Sequence, residues 1–219
     1  MPDPDRDRPA LEWKVCGMRD ATSLRALAPL RPDYVGLIFF SGSRRYVGAD
    51  FDPAVLDVLP AATQRVGVFV NAPLDEMTRV AERYALDALQ LHGDEPPATC
   101  RALRAAGHTV FKAFGVEAVF DFARLDAYAP HVDLFLFDTK GPARGGNGVA
   151  FDWSVLARYR GKVPFLLSGG IGPESVAALR AFQHPAWRGI DVNSRFEVEP
   201  GVKDVVTIGK FVDELSLHA

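Results

Sequence analysis

Cysteine is scarce in this chain, which has two among its 219 residues, Cys16 and Cys100. Neither stands in a CxxC pair, so the sequence predicts neither a disulfide framework nor a zinc site. Such cysteine usage fits a reducing compartment, and we expect the protein in the cytoplasm. Cys100 falls inside a helical pattern, where a cysteine is usually a small buried hydrophobe.

Long apolar runs and basic clusters are also missing. No run approaches the ~18 apolar residues of a membrane span, and the formal net charge is -3 with no Lys/Arg run. These absences argue against a membrane or a nucleic acid as partner and leave a small molecule as the expected ligand. Residues 1–10, MPDPDRDRPA, are charged and rich in proline, which predicts a disordered tail and no secretory signal.

The chain does contain a regular alternation of short apolar runs and longer amphipathic stretches. The runs predict eight strands, at 12–16, 34–39, 65–70, 87–91, 109–114, 133–137, 163–168 and 189–192. A helix is predicted over 74–84, where Leu74, Met77, Val80 and Tyr84 recur at helical spacing.

This alternation determines the expected fold, because strands that alternate with helices must run parallel. Eight units in about 200 residues predict a single (β/α)8 TIM barrel, an α/β fold, over residues 11–219. An open six-stranded nucleotide-binding sheet is the alternative architecture. VCGMRD follows the first strand, however, where that fold carries GxGxxG.

Polar residues concentrate where the predicted strands end. Cys16 ends the first strand and Asp138 follows the sixth. Because side chains alternate along a strand, Lys14 shares the inward face of Cys16, and Gln90 shares that of His92. Each of these residues alone is more often structural than functional. Their convergence on the rim that carries the active site of barrel enzymes favours function.

A phosphate site is predicted where the last two strands end. Gly169 and Gly170 directly follow the seventh strand, and Pro173 opens a helix behind them, so unhindered backbone N–H groups can approach an anion. The eighth strand leads into 193–195, Asn-Ser-Arg, which adds side-chain donors. Barrel enzymes frequently bind phosphate between these two loops.

The connection after the sixth strand, residues 138–153, is glycine-rich and long for a link between a strand and a helix. We interpret it as a lid that closes beside Asp138 and excludes water. An ordinary surface loop is the alternative.

Seven segments carry a resemblance to a known family: KVCG at 14–17, GLIFFSGSRRYV at 36–47, VGVFVN at 66–71, LQLHGDE at 89–95, FDTKGPARGGNGVAFDW at 137–153, LSGGIGPESV at 167–176 and DVNSRFEVEPGVKD at 191–204. In these segments, which span nearly the whole chain, the sequence resembles phosphoribosylanthranilate isomerase of tryptophan biosynthesis. The resemblance implies an aldose-ketose isomerase that performs an Amadori rearrangement of N-(5'-phosphoribosyl)anthranilate without cofactor or metal.

The resemblance also implies roles for individual residues. It places the general base on Cys16 and the general acid on Asp138, and it gives the anthranilate carboxylate to Arg45. The phosphate falls to Gly169, Gly170, Asn193 and Ser194, and the remaining substrate contacts fall to Gln90, His92 and Asp191. The base must be a thiolate, and we expect Lys14 to be the cation that favours it.

Two other functions stay open at this point. One is a metal-dependent sugar-phosphate epimerase or aldolase with Cys16, His92 and Asp138 as ligands, although their spacing matches no common metal motif. The other is a barrel that binds a sugar phosphate without catalysis. The chain departs from the family at 193–196, Asn-Ser-Arg-Phe, where many members have Ser-Ser-Gly-Val, so Arg195 is a candidate for an additional phosphate contact. The sequence is compatible with a monomer or a homodimer.

Overall fold

The computed structural model describes residues 11–139 and 152–216 and contains a closed barrel of eight parallel strands. The strands are β1 Glu12–Val15, β2 Tyr34–Ile38, β3 Gln64–Phe69, β4 Ala88–Leu91, β5 Thr109–Val116, β6 Leu134–Thr139, β7 Phe165–Leu167 and β8 Trp187–Val192. Each strand pairs with its neighbours in sequence, and β1 closes the barrel against β8. The predicted (β/α)8 fold is confirmed, and the predicted strands agree with the observed ones to within a few residues at each end. Residues 1–10 and the centre of the predicted lid, 140–151, lie outside the described residues.

In the described ranges, five α-helices pack around the barrel: α1 Ala21–Leu27, α2 Leu74–Tyr84, α3 Pro97–Ala105, α4 Val176–Ala181 and α5 Val205–Ser216. α2 has the predicted bounds, and its buried residues include Met77, Val80 and Tyr84. Cys100 lies fully buried in α3, as predicted for a core residue. None of the helices in the described ranges is long and apolar enough to cross a membrane.

Short 3-10 helices replace α-helices after β2, β5 and β6, at Pro53–Val58, Phe122–Ala127 and Trp153–Arg158. Each begins after an aspartate whose side chain accepts a hydrogen bond from the backbone N–H two residues on; these caps are Asp52, Asp121 and Asp152. Proline then follows the first helix at Pro60 and the second at Pro130. Because proline cannot donate a backbone hydrogen bond, these segments stay short, which the apolar spacing alone did not predict.

The two faces of the barrel strands carry different apolar residues. The interior is a small cluster that includes Phe111, Leu134, Leu136 and Leu166. The outer layer between strands and helices is larger and includes Phe135 and Phe137, so side chains along β6 alternate between the interior and the outer layer.

Lys112 in β5 points out of the barrel, away from the predicted rim. Its ammonium group lies 3.2 Å from Glu95 and donates to the backbone oxygens of Leu91, Gly93 and Ala113 at 2.9–3.1 Å. Burial lowers the pKa of Lys112, and the Glu95 carboxylate opposes that effect. The residue therefore ties β4 to β5.

A short antiparallel hairpin follows β8 and its 3-10 turn, with strands β9 Glu197–Glu199 and β10 Val202–Lys203. Gly201 in the turn has φ of +90°, a left-handed conformation that favours glycine. The hairpin is held to the barrel by a hydrogen bond from the Lys203 N–H to the Ser23 hydroxyl at 3.1 Å.

Phe137 lies at the centre of the outer aromatic layer, with no exposed surface. Its ring lies 5.0 to 6.5 Å from five other aromatic rings, those of Phe120, Phe122, Phe135, Tyr159 and Phe165. We predict that Phe137→Ala lowers the free energy of unfolding by about 3–5 kcal/mol, measured by urea denaturation. Val119→Ala, at a position 85% exposed, is the control and should change it by less than about 0.5 kcal/mol. Equal effects of the two substitutions would contradict this description of the core.

Candidate active site

An open cavity of about 710 Å³ lies at the carboxyl ends of the barrel strands. Nine of the ten predicted site residues line it: Cys16, Arg45, His92, Asp138, Gly169, Gly170, Asp191, Asn193 and Ser194. Apolar side chains complete its wall, among them Ile38, Phe40, Val68 and Ile171. The cavity therefore offers titratable groups, glycine backbone and an apolar surface to one small ligand.

Cys16 follows β1 and is 4% exposed. Lys14, two residues earlier on the same face of the strand, is fully buried. It donates a hydrogen bond to Asp191 at 2.9 Å, where β1 pairs with β8. A Cβ placed on Gly36 would stand 2.9 Å from the Cys16 sulfur and 3.0 Å from the Lys14 nitrogen. Glycine at 36 therefore makes the room that this cluster needs, and Lys14 shares the inward face as predicted.

Burial raises the pKa of the Cys16 thiol, and the Asp191 carboxylate raises it further, whereas Lys14 and Lys203 lower it. Burial has the largest effect, so the pKa lies above the ordinary value in the ligand-free protein. Lys14 lowers the pKa of the Cys16 thiol, as predicted, but its effect is smaller than that of burial. Burial also lowers the pKa of Lys14 itself, but Asp191 and Cys16 outweigh it and the net pKa is raised.

Asp138 lies near the end of β6 and is 7% exposed. One carboxylate oxygen accepts from the Thr139 N–H at 2.7 Å, and the other lies 3.3 Å from His92 Nε2. Gln90 is fully buried behind His92 and does not line the cavity. Its amide nitrogen lies 3.1 Å from His92 Nδ1, so Gln90 contacts the cavity wall through His92, and its role in substrate binding stays a prediction.

Asp191 anchors several of these groups. Besides Lys14 it accepts a hydrogen bond from the Ser168 hydroxyl at 3.2 Å. Both residues are buried. The carboxylate is thus held by two donors from β1 and the end of β7, facing the cavity beside Cys16.

The glycine pair after β7 adopts left-handed backbone conformations, with φ of +81° at Gly169 and +69° at Gly170. A Cβ on Gly169 would also collide with Asp138 and Thr139. Glycine is therefore required for both the backbone shape and the close approach to β6. The pair lines the cavity together with Ser194 from the β8 loop, as predicted.

Asn193 and Arg195, two polar residues of the loop after β8, are placed differently relative to the cavity. The Asn193 side-chain oxygen accepts from Lys203 at 2.7 Å, which leaves its amide N–H groups for a ligand. Arg195 is exposed and pairs with Glu174 at 2.6 Å, and it does not line the cavity. The expectation of a direct Arg195 charge on a phosphate is not supported by this position.

Arg45 enters the cavity from the loop after β2, but sequence reasoning missed its partners. Its Nε donates to both carboxylate oxygens of Glu197 at 2.9 Å, and its Nη2 donates to one of them at 2.7 Å. Lys203 donates to the same carboxylate at 2.7 Å. Burial raises the pKa of Glu197, but the hydrogen bonds from Arg45 and the charge of Lys203 outweigh it, so the net pKa is lowered.

The possible metal ligands are dispersed. Within residues 11–139 and 152–216, no group of three or more His, Cys, Asp or Glu side chains could hold a metal ion.

Comparison with known proteins identifies the family. The family model for N-(5'-phosphoribosyl)anthranilate (PRA) isomerase matches residues 13–214. A curated N-(5'-phosphoribosyl)anthranilate isomerase from Parabacteroides distasonis is 44% identical over 206 residues, which cover 94% of this chain and 93% of that protein.

Solved structures agree with the sequence comparison. The crystal structure of phosphoribosyl anthranilate isomerase from Thermotoga maritima is 34% identical, with a TM-score of 0.82 and coverage of 94% of this chain and 98% of that one. A phosphoribosyl anthranilate isomerase in complex with reduced 1-(o-carboxyphenylamino)-1-deoxyribulose 5-phosphate is 32% identical, with a TM-score of 0.78 and the same coverage.

The Lys14–Asp191 pair generates a prediction in which two substitutions act oppositely. Lys14→Met removes a cation and should raise the pKa of the Cys16 thiol, whereas Asp191→Asn removes an anion and should lower it. The measurement is the pH dependence of iodoacetamide alkylation in a Cys100→Ala background, so that one thiol reacts. Both variants break the same ion pair, so a purely structural effect would shift both profiles in the same direction and contradict the prediction.

Proposed function

The chain belongs to the N-(5'-phosphoribosyl)anthranilate isomerase family, and from that premise we propose that Cys16 is the general base and Asp138 the general acid of the reaction. The protein is an isomerase of tryptophan biosynthesis that converts N-(5'-phosphoribosyl)anthranilate into 1-(2-carboxyphenylamino)-1-deoxyribulose 5-phosphate. The observation that carries the assignment of roles is that Cys16 and Asp138 line one cavity with the glycine pair 169–170.

The reaction moves protons within one molecule, so substrate and product have the same atoms and no external oxidant is needed. In the proposed mechanism an acid protonates the furanose ring oxygen, and the C1'–O bond breaks to give an open-chain imine. A base then removes the proton from C2', and the electron pair moves toward nitrogen to form an enolamine. Tautomerisation of the enol yields the 2'-ketone. General acid–base catalysis of this kind contributes about 10²- to 10⁴-fold for each group.

Asp138 suits the acid role because of its position. It lies where β6 ends, faces the cavity, and contacts His92 through one oxygen and the Thr139 N–H through the other. Gln90 Nε2 lies 3.1 Å from His92 Nδ1, so the His92 ring is held between Gln90 and Asp138. We propose that His92 steers the carboxyl group toward the ring oxygen.

Cys16 suits the base role because the sulfur is the polar group that follows β1 into the same cavity. Two buried cations, Lys14 and Lys203, lower its pKa against the effect of burial. A thiolate formed there is stabilised by these charges and shielded from bulk water. We propose that the proton of C2' passes to this sulfur.

The two ends of the substrate match the two ends of the cavity. Backbone N–H groups of Gly169, Gly170 and Ser194, with the Asn193 amide, are proposed to bind the phosphate. The apolar wall at Ile38 and Phe40 suits the anthranilate ring. Arg45 lies beside that wall and is proposed to bind the ring carboxylate, for which a planar guanidinium is well shaped.

We propose that the enzyme acts as a monomer or a homodimer. A thiolate base must stay reduced, which supports the proposed location in the cytoplasm. Both cysteines are free and buried.

The proposed roles are tested by Cys16→Ala and Asp138→Asn, assayed by the loss of phosphoribosylanthranilate fluorescence. Each should lower kcat by at least about 10²-fold with a smaller change in KM, because the lost group acts on the transition state more than on binding. Cys100→Ala removes the other buried cysteine, outside the cavity, and should keep wild-type activity. Full activity of either the Cys16 or the Asp138 variant would refute the assignment.

A further inference from the structure

The β9–β10 hairpin returns the chain to the cavity after the last barrel strand. Glu197 and Lys203 stand opposite each other in its two strands, and the side chains of both are buried, with 4% and 0% exposure. The Gly201 N–H in the turn also donates to Glu197, at 3.1 Å. The hairpin therefore holds the buried Glu197 carboxylate in a fixed position against Arg45.

The hydrogen bonds between Arg45 and Glu197 use one edge of the guanidinium. They involve Nε and Nη2, whereas a guanidinium carries five N–H groups in a planar fork. The end of the fork, formed by Nη1 and the second N–H of Nη2, is a separate bidentate donor. With 13% of the Arg45 side chain exposed and the residue lining the cavity, this end is available to a ligand carboxylate.

The charges around Arg45 do not cancel. Arg45 and Lys203 contribute two positive charges and Glu197 one negative charge, while the neighbouring Lys14 and Asp191 balance each other. As long as the Cys16 thiol beside Lys203 stays protonated, one net positive charge thus remains in this mostly buried cluster. An unbalanced buried charge is costly, and a ligand anion at the free end of the fork would compensate it.

We propose that Glu197 is a positioning residue that fixes the Arg45 guanidinium for the ring carboxylate of the substrate, and that Lys203 keeps the cluster one charge positive. The proposal rests on the proposed function, in which Arg45 binds that carboxylate. Without Glu197, the long arginine side chain would regain its rotamer freedom and lose part of its ability to select a planar anion. The hairpin then belongs to the specificity machinery of the enzyme.

The test measures selectivity for the carboxylate, which a merely structural residue would not change. Binding of reduced 1-(o-carboxyphenylamino)-1-deoxyribulose 5-phosphate is compared by calorimetry with that of the same compound lacking the ring carboxylate. The wild type should prefer the carboxylated compound by about 10- to 100-fold. Glu197→Gln should reduce this ratio by about 5- to 10-fold and leave affinity for the compound without carboxylate within about twofold, which also shows that the variant is folded.

Two further variants separate the possible failures. Glu199→Gln removes the same charge from an exposed position on the same hairpin and should keep the wild-type ratio. Arg45→Met should abolish the preference; if it does not, the proposed role of Arg45 itself is wrong.

If Arg45→Met abolishes the preference while Glu197→Gln leaves it unchanged or increases it, Glu197 competes with the substrate or is neutral, and the positioning proposal alone is overturned. Should Glu197→Gln fail to fold, Glu197→Asp, which draws the carboxylate back by one methylene, is judged by the same ratio.

Discussion

The buried ion pair between Lys14 and Asp191 is the interaction on which the site depends. The two residues are register partners where β1 meets β8, so the pair spans the seam that closes the barrel. Removing one partner of a buried pair typically costs about 3–5 kcal/mol, because the other charge is left uncompensated. The same pair stands against Cys16, with Lys14 lowering and Asp191 raising the pKa of the thiol. Barrel closure and the charge state of the proposed base are therefore linked through the same two side chains.

Buried ion pairs elsewhere likewise connect neighbouring elements. Lys112 and Glu95 join β4 to β5 next to His92, and Lys203 with Glu197 joins the hairpin to Arg45. Each cluster fixes a different part of the cavity wall from behind. Arg45, which lines the cavity, is thereby held in place by buried contacts, as a preorganised site requires.

Sequence patterns predicted the barrel because two of its features depend on local structure. These are the alternation of side chains along each strand and the turn residues between successive units. They also placed Cys16 and Asp138 correctly, since the end of a strand fixes where its last side chain points. The position of Lys112 depends on packing, because it lies mid-strand in the eight-residue β5 with its side chain on the outer face. Glu197 and Lys203 were missed because their role depends on an antiparallel return after β8, for which Pro200 and Gly201 were the available turn signal. Gln90 shares a face with His92 as predicted, but only packing shows that His92 lines the cavity and Gln90 does not.

The most direct measurement is a crystal structure of this chain with reduced 1-(o-carboxyphenylamino)-1-deoxyribulose 5-phosphate bound. The account predicts C2' within about 3.5 Å of the Cys16 sulfur, the distance of a reactive geometry. It further predicts the phosphate on the backbone of Gly169 and Gly170, and the ring carboxylate on the free end of the Arg45 fork. A ligand whose C2' lies out of reach of the sulfur, or whose phosphate binds at the ends of β3 and β4, would contradict the assignment of Cys16 as the base.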